Sequence, residues 1–190
     1  MAEHSKRQEI LEAAAQLFRD KGYSATSMRD LAKAVSLKAS SLYNHIGGKE
    51  EILREICYSN AQRFLDAMKT IEAQPDGIIE KLQSLIRLHI QMAMEDITSV
   101  TAFNDEWRHL SGEHLDHFRG LRKDYERRFK QILQEGMDKG LLKPVDTTIA
   151  LYTILSSMRW LYDWYRPEGR KTKEEIEQEL TIILLKGLAV

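Results

Sequence analysis

The chain has 190 residues, 43% of them hydrophobic and 30% charged, a balance that suits a folded globular chain and argues against disorder. No run approaches the roughly 18 apolar residues of a membrane helix, the N-terminal MAEHSKRQEIL lacks a signal-peptide core, and a lone cysteine, Cys57, rules out an internal disulfide. A cytoplasmic protein with no membrane partner is expected. The net charge of −1 hides a basic head: residues 1–49 carry eight Lys/Arg against five Asp/Glu, giving +3, and the rest stands at −4, an asymmetry that suits nucleic acid at one end.

Three prolines, at 75, 144 and 167, leave long stretches free to be helical. Ile10, Ala13, Ala14, Leu17 and Phe18 recur at helical spacing, and Gly22 stands where a helix ends. Ser27 with Asp30 three residues later reads as a capping box, opening a short helix through Met28, Leu31, Ala32 and Val35. After a break at Ser36, residues 38–45 form a third short helix, and Gly47-Gly48 closes it. Lys49 opens a long helix to about Gln74, and Pro75-Asp76-Gly77 turns the chain.

Residues 78–95 place Ile78, Leu82, Leu85, Ile86, His89 and Met92 on one face. Helices over 98–110 and about 112–138 follow, the second ending at Gly140; Asp146 is the N-cap of an apolar helix over 147–165. Thr172 with Glu175 caps a last helix. The pattern predicts an all-α chain of about nine helices, divided into a head of short helices over 1–50 and a helical body over 51–190.

Three short helices joined by tight breaks fit a helix-turn-helix with its supporting helix. The third needs small or hydrogen-bonding residues facing a DNA groove, which Lys38, Ser40, Ser41 and Asn44 supply, over apolar anchors Leu37, Leu42 and Ile46. Tyr43 can carry its hydroxyl to a phosphate. The ordered set Gly22-Tyr23, Thr26-Ser27-Met28-Arg29-Asp30-Leu31-Ala32, Ser41-Leu42-Tyr43-Asn44-His45, Lys49-Glu50 and Leu53 resembles the DNA-binding signature of the TetR family over about residues 5–53. Two positions depart from it. Ser36 stands where glycine is usual and should be strained if the turn needs a positive φ, and Ile46 stands where phenylalanine is common.

The resemblance implies a one-component transcriptional repressor, not an enzyme, with a helix-turn-helix DNA-binding domain over 1–50 and a helical ligand-binding and dimerisation domain over 51–190, that binds a palindromic operator as a homodimer and needs no cofactor. It assigns phosphate contacts to Thr26 or Ser27 and to Arg29, base-edge or nearby contacts to Lys38, Ser40, Ser41 and Asn44, and a phosphate clamp to Tyr43, His45 and Lys49. It also puts a four-helix dimer interface on the last two helices, which carry Ile149, Ile154, Leu155, Leu161, Leu180, Ile183 and Leu184.

In the body, Arg159, Asp163 and Arg166 fall near one helix side, and Trp160 and Trp164 lie one turn apart. Tryptophans so concentrated are expected to be buried against a ligand, a partner or the core. The run from Met158 to about Ile176 resembles the penultimate helix of TetR-family regulators of fatty-acid, aromatic-acid and sterol degradation, which bind acyl-CoA thioesters. An acyl-CoA needs an apolar tunnel and cations for its phosphates. Phe103, Trp107, Arg159, Trp160, Asp163 and Trp164 are the candidate ligand residues. A drug or a free acid is the alternative effector.

The rival class is a helical-bundle metal enzyme. Glu106 and His109 match half of a di-iron pattern, but the chain has no second Glu-x-x-His, so no metal site is assigned. Cys57 falls among apolar neighbours, where thiols are usually inert.

Overall fold

A computed structural model describes residues 5–166 and 168–188, except the side chain of Asp163. Ten α-helices and one 3-10 turn follow in order: α1 Lys6–Lys21, α2 Met28–Ala34, α3 Ala39–Leu42, α4 Lys49–Ala73, α5 Ile78–Glu95, α6 Ile97–Asp105, the 3-10 turn Trp107–His109, α7 Gly112–Asp138, α8 Thr147–Arg159, α9 Leu161–Trp164 and α10 Lys173–Leu188. Among the described residues no helix is long and apolar enough to cross a membrane.

The capping signals act as read. Ser27 and Asp30 exchange backbone-to-side-chain bonds at the start of α2, 2.9 Å from the Ser27 amide and 3.2 Å from the Asp30 amide. Thr172 and Glu175 do the same before α10, at 2.9 and 3.2 Å. The Asp146 carboxylate accepts from the amides of Thr148 and Ile149 at 2.8 and 3.0 Å and opens α8. The helix expected over 147–165 is interrupted at Trp160, yet Trp160 keeps α-region angles of −66° and −14°. The Trp164 amide still donates to the Trp160 carbonyl at 3.0 Å, so the interruption skips a bond without turning the chain. The helix expected over 98–110 tightens after Asp105 into the 3-10 turn.

Two compact units form. Unit 1 takes Met1–Gln62 and Asp96–Gly120; unit 2 takes Arg63–Glu95 and Leu121–Val190. In unit 1, α1, α2 and α3 close over Ile10, Phe18, Leu31, Leu42 and Ile46, all at most 2% exposed. Burying one such leucine contributes about 1.5–3 kcal/mol. The helix α1 packs along α6 as well as against α2. Arg7 ties α1 to α4, its guanidinium reaching the Glu51 carboxylate at 2.6 Å, the Glu55 carboxylate and the His45 carbonyl. In unit 2, α5 is the central helix, packed against α8, α9 and α10, and it buries Leu82, Leu85, Ile86 and Ile90 completely.

Candidate functional site

The turn between α2 and α3 is a Schellman motif. The Leu37 amide donates to the Ala32 carbonyl at 2.8 Å and the Ser36 amide to the Lys33 carbonyl at 3.2 Å. Such a turn needs a left-handed residue, and Ser36 supplies it with a φ of +54°, the one positive φ at a non-glycine among the described residues. The strain expected of Ser36 is present. The turn sets α3 against α2. Leu42 and Ile46 point inward at 0% and 2% exposure, while Lys38, Ser40, Tyr43, Asn44 and His45 are exposed and Ser41 is partly so. Ser27 and Arg29, at the start of α2, are exposed too. The head therefore exposes short polar side chains together with cations, the chemistry that groove and phosphate contact require.

Two expected contact residues do other work. Thr26 is 1% exposed, and its hydroxyl is engaged with the carbonyls of Gly22 at 2.9 Å and Leu17 at 3.3 Å. Burial takes it off the phosphate face and makes it the internal brace of the α1–α2 turn. Lys49, expected to clamp phosphate, instead donates its ammonium to the carbonyls of Tyr23 at 2.7 Å and Thr26 at 2.8 Å, and lies 4.2 Å from the centre of the Tyr23 ring. The two carbonyls, that of Tyr23 also accepting from the Thr26 amide at 3.2 Å, hold the ammonium at the turn.

The same unit joins the head to the start of α7. The His109 ring stacks on Tyr23 with centroids 4.9 Å apart, and the Glu50 carboxylate accepts from the Ser111 amide and hydroxyl at 2.8 and 2.7 Å. Those two bonds, the hydroxyl first, hold the Glu50 carboxyl below its ordinary range. Glu106 and His109, the pair behind the metal reading, meet each other at 3.2 Å. Among the described residues no three His, Cys, Asp or Glu side chains gather as a metal site.

The candidate ligand residues divide. Phe103 and Trp107 lie in unit 1 and pack on Phe118, 5.6 and 5.7 Å between ring centres. Arg159, Trp160 and Trp164 lie in unit 2. The tryptophans are not buried in the chain: Trp160 is 42% and Trp164 53% exposed, and they meet edge to face at 5.1 Å. Spacing put them side by side, but the side of the helix facing the protein is set by packing on α5. The Arg159 guanidinium donates to the Tyr162 hydroxyl at 2.6 Å. Asp163 falls in α9, and its side chain lies outside the described residues.

Among residues read as the dimer face, Ile149 and Ile183 are 67% and 66% exposed, while Ile154, Leu161, Leu180 and Leu184 are at most 9% exposed and belong to the chain's own core.

A polar pair in unit 2 escaped the sequence reading. His89 of α5 and Tyr125 of α7 sit 2.8 Å apart, nitrogen to oxygen, and Phe64 of α4 stacks on the histidine at 4.7 Å. Loss of solvent pushes the His89 imidazole down to about 4 and the Tyr125 phenol well above its ordinary value. His89 was visible only as one position on a helical face; nothing in the sequence marked its partner.

Known proteins align with this chain over nearly its whole length. Residues 10–56 match the bacterial regulatory proteins of the tetR family, and residues 75–188 match a tetracyclin repressor-like C-terminal domain. The HTH-type transcriptional repressor KstR2 of Mycobacterium tuberculosis is 26% identical over 187 residues, covering 97% of this chain and 94% of that protein. The structure of KstR2, a ketosteroid transcriptional regulator, superposes with a TM-score of 0.92 over 99% of this chain and 97% of that one. A crystal structure of AibR in complex with isovaleryl coenzyme A and operator DNA is 28% identical, with a TM-score of 0.84 over 95% of this chain and 98% of that one.

Proposed function

The chain belongs to the TetR family of bacterial regulatory proteins and is a ligand-controlled, DNA-binding transcriptional repressor rather than an enzyme, and we propose that the effector controlling its operator binding is an acyl-CoA thioester. The observation that carries this reading is the similarity to AibR, whose crystal structure holds isovaleryl coenzyme A together with operator DNA. The exposed Trp160–Trp164 pair supports it, because a coenzyme A offers an adenine ring to stack on an accessible indole. Arg159, exposed beside them in sequence, supplies a guanidinium for the phosphates.

DNA contact falls to Ser27, Arg29, Lys38, Ser40, Ser41, Tyr43, Asn44 and His45, with Arg29, Tyr43 and His45 at phosphates and the others near base edges. A palindromic operator requires two heads. The second copy docks on the exposed apolar side chains Ile149 and Tyr152 of α8 and Ile182 and Ile183 of α10. An effector changes DNA binding only through unequal affinity for the DNA-competent and DNA-incompetent states.

The test is a titration of the protein on a duplex selected from a random pool, with acyl-CoAs of several chain types and the matching free acids. Acyl-CoA should change DNA affinity tenfold or more, and Arg159→Ala should blunt that response while sparing DNA affinity without ligand. A response to free acids and to no acyl-CoA overturns the effector assignment. Failure to select any duplex overturns the docking face.

A further inference from the structure

We propose that His89 and Tyr125 form the polar end of the effector site within unit 2 and select a neutral carbonyl, that of a ketone or thioester, over a free carboxylate. The inference rests on the reading of the protein as ligand-controlled. It starts from an enclosure drawn from three helices. Phe64 of α4 stacks on His89 at 4.7 Å and meets Tyr125 edge-on at 5.7 Å, and Phe129 closes the other side of Tyr125 at 6.3 Å. These aromatic walls leave two polar groups, the His89 imidazole and the Tyr125 hydroxyl, bonded to each other at 2.8 Å.

The surroundings deprive His89 of water, since burial alone pushes its imidazole down to about 4. Part of the residue nevertheless stays accessible, whereas Tyr125 is only 8% exposed. The accessible part of the ring is the side from which a ligand would meet the pair. A neutral imidazole has one donor and one acceptor nitrogen; Tyr125 takes Nε2 and leaves Nδ1 for something else. The phenol has no other acceptor among its described contacts, so in the proposed tautomer it donates to Nε2 and Nδ1 carries the proton. Between aromatic walls, one neutral donor suits an uncharged acceptor. A carboxylate there would be a desolvated charge facing two neutral groups, and it would have to bring a proton with it.

The probes are 2-decanone, decanoyl-CoA and decanoate, which share chain length and differ in the group at the end. Binding to the full-length wild-type protein is followed by calorimetry at pH 7.5, with ring-carbon-labelled histidine as a resonance readout. The ketone should bind at least tenfold more tightly than decanoate and shift the His89 resonance, and decanoyl-CoA should shift it too. Tyr125→Phe and His89→Gln should each erase the ketone preference while leaving DNA affinity without ligand unchanged. The inference is overturned if decanoate binds as well as the ketone, if it binds with uptake of a proton, if the preference survives in both variants, or if no probe moves the His89 resonance. Should DNA binding persist in any of those cases, the regulator assignment survives. Movement by decanoyl-CoA without 2-decanone would assign the pair to the thioester alone.

Discussion

Lys49 reaches back from the first turn of α4 to lie 4.2 Å from the centre of the Tyr23 ring, 26 residues upstream, and donates to the Tyr23 carbonyl at 2.7 Å. A second bond, to the Thr26 carbonyl at 2.8 Å, completes a staple across the α1–α2 turn. Lys49→Ala would leave two carbonyls without their charged donor and remove a cation from an aromatic face. The head should lose about 1–3 kcal/mol, read as a lower urea midpoint. Tyr43→Phe, at a side chain 54% exposed, should leave that midpoint unmoved and weaken binding to every duplex, with a flatter salt dependence. A Lys49→Ala protein of wild-type stability with uniformly weaker DNA binding would restore the phosphate role and remove the staple.

Ser36 holds the left-handed position of the turn between α2 and α3. The left-handed region costs a side-chain-bearing residue about 1–2 kcal/mol, and a glycine would escape that cost while losing some of the gain to its freer unfolded chain. Ser36→Gly should therefore stabilise the protein by about 0.5–1 kcal/mol, with the denaturant midpoint raised and the slope constant. Ser36→Val should act in the opposite direction by a larger amount. A destabilised Ser36→Gly would mean that the serine hydroxyl contributes more than the backbone strain costs.

Acid should find His89. Its pKa falls from 6.5 to about 4 on folding, so the unfolded chain takes up a proton before the folded one does. The contribution to stability is complete above pH 6.5, declines as the pH falls from 6.5 to 4, and is gone below that. At roughly 1.4 kcal/mol per unit the ceiling is about 3 kcal/mol, less for a ring that keeps accessible surface. Unfolding midpoints measured from pH 7.5 to 4 should therefore drop more steeply for wild type than for His89→Gln. Parallel curves would show that another group governs acid unfolding.

The helices were legible because their ends are written in short-range chemistry. Ser27 with Asp30, Asp146, and Thr172 with Glu175 each satisfy amides within three residues, so the caps can be read without a fold. The head was legible for a related reason: its polar and apolar positions alternate over one short turn, and Ser36 marks that turn. Long-range pairings were not. His89 and Tyr125 are 36 residues apart, and only the packing of α5 against α7 brings them within 2.8 Å. Thr26 and Lys49 were placed at phosphates by resemblance, and a matching pattern does not show that a polar group also braces nearby carbonyls, as both do here. Of the three places expected to bury Trp160 and Trp164 (a ligand, a partner or the core), the chain's own core does not take them, because helical spacing groups side chains on one face without saying which way the face turns.

The division between core and contact on α10 gives the sharpest test of assembly, because two adjacent residues answer differently. Leu184 is 9% exposed and faces the chain's own interior, whereas Ile183, one position earlier, is 66% exposed. A glutamate at 184 would bury an unpaired carboxylate and should cost several kcal/mol of folding stability, so that Leu184→Glu unfolds or aggregates whether or not a dimer exists. A glutamate at 183 costs a solvated monomer almost nothing. In a dimer packed on that face the same charge is desolvated twice, once for each copy, by the symmetry of a two-fold interface. Ile183→Glu should therefore keep its helical spectrum, sediment as a monomer at micromolar concentration where wild type sediments as a dimer, and lose affinity for a palindromic duplex far more than for a single half-site. Ile149→Glu, on α8 and 67% exposed, should behave alike. If both variants remain dimeric, the second copy docks elsewhere, and Ile149 and Ile183 are simply exposed residues of unit 2.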